Sequence, residues 1–184
     1  MADKRSVEIR DLGEITAVSA PRISPNGKKI VFVHTKMDFE EDAYINNLWM
    51  ADLESKKTYQ FTNGRGKDKN PQWSPDGSQI MFTSQPPSKG DDKPKTQIYV
   101  IDVDGGEARK ITDVEKGVES PQWSPNGKNI LFVSNVERVD RGESDVQVID
   151  IIVYKFQGRG FFEKIRKHVF TVRISGVKHK QITK

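Results

Sequence analysis

The side chains that could do chemistry are few and far apart. His34, His168 and His179 are the only imidazoles, and there is no cysteine. A metal pair on one helical face needs His-x-x-x-His spacing, whereas these three fall in or beside segments that read as strands. The missing cysteines remove disulfides, thiolate zinc sites and cysteine nucleophiles together. A serine nucleophile of the elbow type needs Gly-x-Ser-x-Gly with an acid and a histidine downstream. Gly142-Glu143-Ser144-Asp145 lacks the second glycine, and no such elbow exists elsewhere. Gly158-Arg159-Gly160 lacks both the third glycine and the following Lys-Ser/Thr of a phosphate loop. Asp38, Glu40, Glu41 and Asp42 supply oxygens for a weakly held calcium, or simply form a solvated loop, which is the preferred reading. The expectation is therefore no catalytic, cofactor-binding or metal-binding residue, and no cofactor.

The chain that carries these residues is 184 long, enough for one domain with a sizeable core. Apolar residues at 34% against 30% charged place it with globular chains and away from the disorder signature. Its strongest apolar run, Ile151-Ile152-Val153-Tyr154, meets Lys155 far short of a membrane span. The opening Met1-Ala2-Asp3-Lys4-Arg5 leads into Glu8, Arg10 and Asp11, so no secretory signal and a cytoplasmic location are expected. Residues 155–184 hold nine Lys/Arg against the single acid Glu163. Such an end could meet phosphates, but without stacking aromatics or a reader motif it reads as a solvated face, and neither nucleic acid nor membrane is an expected partner.

Self-similarity decides the architecture. Residues 21–33 recur at 71–83 and again at 121–133, two offsets of 50. Each copy holds Pro-x-(Trp/Ile)-Ser-Pro-(Asp/Asn)-Gly, followed at fixed distance by Ile-x-Phe. A second segment keeps step: Leu48-Trp49-Met50-Ala51-Asp52-Leu53, Ile98-Tyr99-Val100-Ile101-Asp102-Val103 and Val169-Phe170-Thr171-Val172-Arg173-Ile174. Thr62, Thr112 and Thr183 each close a third segment, 13 residues after the aromatic of the second.

Turn chemistry gives these segments shape. In Ser-Pro-Asp/Asn-Gly, proline presets φ for a type I turn, Asp or Asn tolerates the third position, and glycine takes the left-handed one, the signature of a three-residue hairpin loop with a glycine bulge. The Ile-x-Phe strand is apolar on both faces and belongs inside a stack. The aromatic strand alternates, so it reads as half covered. Four short antiparallel strands in about 50 residues make a propeller blade. The fold class is therefore all-β, an incomplete β-propeller of about three four-stranded antiparallel blades over 15–63, 64–113 and 114–184. Trp73, Trp123, Phe32, Phe82 and Phe132 read as packing between blades.

The third repeat breaks the rhythm. Phe32 to Trp49 and Phe82 to Tyr99 are each 17 residues, but Phe132 to Phe170 is 38. The extra stretch, about 140–167, reads as an added strand or hairpin with its turn at Gly158-Arg159-Gly160. It serves either as an interaction surface or as cover for a blade edge.

These Trp-Ser-Pro-Asp/Asn-Gly-x-x-Ile-x-Phe repeats resemble the TolB-like propeller motif, which also occurs in the prolyl oligopeptidase family of serine peptidases. The opening Asp11-Leu12-Gly13-Glu14-Ile15, the missing signal and the stretch from Asp145-Val146-Gln147-Val148-Ile149 through Tyr154-Lys155-Phe156-Gln157-Gly158-Arg159-Gly160-Phe161 look like acylaminoacyl-peptidase-like members. The resemblance implies a seven-bladed N-terminal propeller that caps an α/β-hydrolase domain and admits small peptides. Residues 1–184 then correspond to the first part of that propeller, with no catalytic domain and no family catalytic residue carried onto any position. The implied partners are the remaining blades and the hydrolase domain, on the same or a separate chain. Self-association through the open end blades is the alternative, in a stand-alone TolB-like interaction module.

Overall fold

In the computed structural model, residues 5–40, 42–64, 66–86, 94–137, 155–156, 160–161 and 165–184 are described. A short 3-10 helix, Ile9–Glu14, leads into β1 (Thr16–Ile23), β2 (Lys29–Asp38), β3 (Ala43–Asp52) and β4 (Thr58–Gln60). The second unit is β5 (Lys69–Trp73), β6 (Gln79–Ser84), β7 (Gln97–Asp102) and β8 (Arg109–Lys110). The third begins with β9 (Glu119–Trp123) and β10 (Asn129–Glu137), is interrupted by β11 (Lys155–Phe156) and β12 (Gly160–Phe161), and ends with β13 (Ile165–Arg173) and β14 (His179–Gln181). Each unit is a four-stranded antiparallel sheet, ordered β1-β2-β3-β4, β5-β6-β7-β8 and β9-β10-β13-β14. These are blades 1, 2 and 3 of an open propeller.

The repeated turn is held by its serine and its Asn or Asp side chain. Gly27 N–H donates to the Ser24 carbonyl at 2.9 Å with Gly27 at φ +74°. The Lys29 N–H bonds the Ser24 hydroxyl at 2.9 Å. The Ser24 hydroxyl in turn donates to Asn26 Oδ1, which also accepts the Lys28 N–H. Ser74 with Asp76 and Ser124 with Asn126 repeat the pattern. The loop is longer than the three residues expected: the closing bond runs from Ser24 N–H to the Lys29 carbonyl at 2.8 Å, because the serine hydroxyl stands in for a ladder carbonyl.

First strands lie side by side at the inner edge. The Trp73 indole N–H donates to the Arg22 carbonyl at 2.9 Å, Trp123 donates to the Gln72 carbonyl at 3.4 Å, and the Gln72 amide donates to the Pro121 carbonyl at 2.7 Å. The tryptophans are thus packing residues with a directed hydrogen bond, which the ring positions alone do not reveal. A bulge recurs before each proline, where Ala20, Asn70 and Ser120 take φ of +49°, +52° and +46°.

The core lies between blades. Val31, Val33, Leu48 and Met50 of blade 1 pack on Ile80, Phe82 and Ile101 of blade 2. Met81, Ile98 and Val100 on the other side of blade 2 pack on Ile130, Phe132, Phe170 and Val172 of blade 3. The aromatic strand of blade 2 is therefore covered on both faces, not on one as its alternation suggests, because a neighbouring sheet stands on each side. In blade 3 the β10–β13 ladder runs out to Glu137 opposite Ile165, and Lys155 and Phe156 pair with Phe161 and Gly160. The intervening 138–154, with Gly142-Glu143-Ser144-Asp145, and 157–159 lie outside the described residues, as does Glu41.

Candidate functional site

The three histidines stand on different strands and do different things. His34 on β2 lies over Trp49, ring centroids 4.9 Å apart. His168 on β13 meets the Thr183 hydroxyl through Nδ1 at 3.2 Å. His179 on β14 sets its ring edge-on against Phe132 and Phe170. Asp38 and Glu40 share the β2–β3 hairpin end with Asp42, where the Asp38 carboxylate accepts the Glu40 N–H at 3.0 Å. Among the described residues no group of three or more metal-ligating acids or imidazoles comes together. The basic end is spread along β13 and β14 with Arg166, Arg173, Lys178, Lys180 and Lys184 exposed, and Lys167 salt-bridged to Glu119 across the sheet.

The polar feature that the fold does assemble is the seam between blades 1 and 2. Thr62, just past β4, accepts the Leu48 N–H at 2.9 Å and donates its hydroxyl hydrogen to Asp68 Oδ2 at 2.6 Å. Ser84 on β6 donates to Asp68 Oδ1, also at 2.6 Å. The Asp68 N–H bonds the Asn46 carbonyl at 3.1 Å, which fastens the entry of blade 2 to β3. Asp68 is 4% exposed, and burial pushes its carboxyl above the ordinary carboxylate range although both hydroxyl bonds pull the other way. Asn46 Oδ1 on β3 is buried without a hydrogen-bond partner among the described residues. Gly66 is required here by close approach, for a Cβ would stand 2.8 Å from Ser84 Oγ.

The same seam one blade on is built without the acid. Val118 replaces Asp68 and its N–H bonds the Thr96 carbonyl at 3.0 Å, while the Thr112 hydroxyl turns to Gln97 Oε1 at 2.8 Å. Sequence reading picked out Thr62 and Thr112 as strand ends but not Asp68, the residue that makes their roles differ.

Beside Asp68 a groove of about 500 Å³ opens between the blades, floored by Phe82 and Tyr99 and walled by Phe61. A second hollow, about 520 Å³, is lined by Arg22, Gln72, Gln122 and the neighbouring Ile23, Trp73 and Trp123 along the inner strands. Polar side chains facing an inner hollow and an acid set beside an interblade groove suit the binding of a polar ligand.

Comparison with known proteins agrees with this architecture. The family described as TolB beta propeller domain matches residues 6–153. The uncharacterized peptidase YuxL of Bacillus subtilis (strain 168) is 28% identical over 70 residues, which is 38% of this chain and 11% of that protein. Among solved structures, the acylaminoacyl peptidase of Pyrococcus horikoshii superposes with TM-score 0.70 at 21% identity, over 95% of this chain and 26% of that one. TolB from Acinetobacter baumannii superposes with TM-score 0.56 at 21% identity, over 89% and 32%. The chain therefore spans about a quarter of the peptidase structure and about a tenth of the curated peptidase that it matches.

Proposed function

The chain belongs to the TolB beta propeller domain family, and on that premise we propose that it is the non-catalytic N-terminal propeller portion of an acylaminoacyl-peptidase-like serine peptidase. Its blades cap an α/β-hydrolase domain and screen it, so that small peptides reach the active serine and folded proteins do not. The observation that carries this reading is the pair of unfinished blade faces. Blade 2 is buried on both sides, whereas among the described residues nothing covers the outer faces of blades 1 and 3: in blade 1 Ile30, Phe32 and Trp49 are half-buried and Val18 and Ile23 are 64% and 61% exposed, and in blade 3 Leu131 is 38% exposed while its neighbours Ile130 and Phe132 are buried against blade 2. Each face has the residues of an interblade seam and suits a further blade. The similarity to peptidases of which this chain spans 26% and 11% supports the same reading.

The experiment is to sequence the coding region beyond residue 184 and assay both lengths of protein. Further repeats followed by Gly-x-Ser-x-Gly are expected. The longer protein should release acylated residues from short peptides and spare folded proteins, while the 184-residue chain neither turns over substrate nor takes a fluorophosphonate probe. Turnover by the short chain itself overturns the proposal. The same open faces favour one other reading, a TolB-like interaction module that closes by self-association, for which light scattering would report a defined oligomer. A cytoplasmic location belongs to the peptidase reading and is tested by cell fractionation.

A further inference from the structure

Besides Asp68 against Val118, the two seams differ at a second position, where the smaller side chain leaves a groove open. In blade 3, Phe132 and Phe170 stack at 5.5 Å, and His179 covers them edge-on at 6.1 and 5.7 Å. In blade 2, Phe82 and Tyr99 stack the same way at 5.7 Å. Lys110 opposite Tyr99 corresponds to Gln181 opposite Phe170, which puts Ala108 where His179 stands. Blade 1 covers Phe82, which is 3% exposed, but the methyl group of Ala108 cannot cover Tyr99 as His179 covers Phe170. Phe170 beneath His179 is 8% exposed, whereas Tyr99 is half-buried and forms the floor of the groove of about 500 Å³.

The groove is also acidic. Asp68 lies in it with two hydroxyl hydrogens already bonded and further lone pairs on each oxygen, and the exposed Glu107 stands beside Ala108. Among the described residues that line it there is no cation to neutralise them. Aromatic faces next to carboxylates attract a flat cation through both the ring quadrupole and charge. We propose that this groove binds a planar organic cation carried by a peptide side chain, an imidazolium or a guanidinium, seated against Tyr99 at the place where blade 3 sets His179 against Phe170. The inference does not depend on a catalytic domain.

Benzamidine, a flat ring with a permanent charge at neutral pH, is the probe, and neutral benzamide is its control. In amide NMR of the 184-residue chain, benzamidine should shift Gly66, Gly106 and Ala108 saturably, with benzamide at least about fivefold weaker. Ala108→His should place a ring in the groove, abolish the shifts and leave the remaining spectrum unchanged. Glu107→Gln should weaken benzamidine about twofold or more and leave benzamide unaffected. Equal binding of the two probes, absence of binding, or undiminished benzamidine binding by Ala108→His overturns the proposal.

Discussion

Asp68 takes the hydroxyl hydrogen of Thr62 at 2.6 Å, and that contact ties the entry of blade 2 to the end of blade 1. Thr62 is engaged twice, because its oxygen also accepts the Leu48 N–H at 2.9 Å. Thr62→Val keeps the shape and deletes both bonds, leaving a buried N–H and a buried carboxylate each short of a partner. The expected loss is about 2–3 kcal/mol in the urea midpoint analysis. Thr183 accepts the Val169 N–H in the same manner but is exposed, so Thr183→Val should cost under about 1 kcal/mol. Equal losses would show that the seam network adds nothing to the ladder bond.

Two carboxylates give stability opposite dependences on pH. Burial raises the Asp68 value, so between the ordinary carboxylate value and that raised value the unfolded chain has lost a proton that the folded chain keeps. Stability from Asp68 therefore declines as pH climbs through that window. The Ser74 hydroxyl, aided by the Ser78 N–H and hydroxyl, lowers the Asp76 value. Stability from Asp76 is present above the ordinary value and disappears as pH falls through the lowered one. Melting temperatures across roughly pH 2–8 should show the decline above the ordinary carboxylate value flattened by Asp68→Asn and the decline below it flattened by Asp76→Asn. Asn26 and Asn126 already fill the Asp76 position in the sister turns.

The blade was legible because its signals are side chains repeated at one offset. Ser24, Ser74 and Ser124, the following prolines, and Gly27, Gly77 and Gly127 all announce the same turn, and a strand starts at the same distance after each. Asp68 was not legible, because its counterparts are Val18 and Val118 and a position that changes type looks like variation. The groove was hidden for a related reason: it is made by a side chain that is small at Ala108, and an absence has no motif. The double cover of β7 needed the third dimension, since alternation reports the period of a strand and not how many sheets flank it.

The recurring bulge leads to a stabilising change. Ala20, Asn70 and Ser120 all hold left-handed backbone, which costs an L-residue about 1–2 kcal/mol, with asparagine the best tolerated of the three types. Ser120→Asn copies the choice blade 2 already makes and should raise stability by about 0.5–1 kcal/mol, read as a higher urea midpoint with unchanged slope. A drop would mean that the serine hydroxyl, and not the backbone angle, governs the position.

Phe32 and Phe82 occupy the same repeat position, but only one has a blade in front of it. Phe82 is 3% exposed between blades 1 and 2, so Phe82→Ala should cost about 3–5 kcal/mol. Phe32 pairs with Trp49 on the uncovered face of blade 1 and is half-buried there, so Phe32→Ala should cost about 1–2 kcal/mol in the 184-residue chain. In a longer protein whose further blades complete the ring, the Phe32→Ala penalty should rise to match that of Phe82→Ala, because the removed ring would then leave a cavity instead of exposing a surface to water. The comparison of denaturant midpoints for both variants in both lengths of chain measures directly whether another sheet covers blade 1. A Phe32 penalty that stays small in the longer protein would mean that the ring does not close over this face.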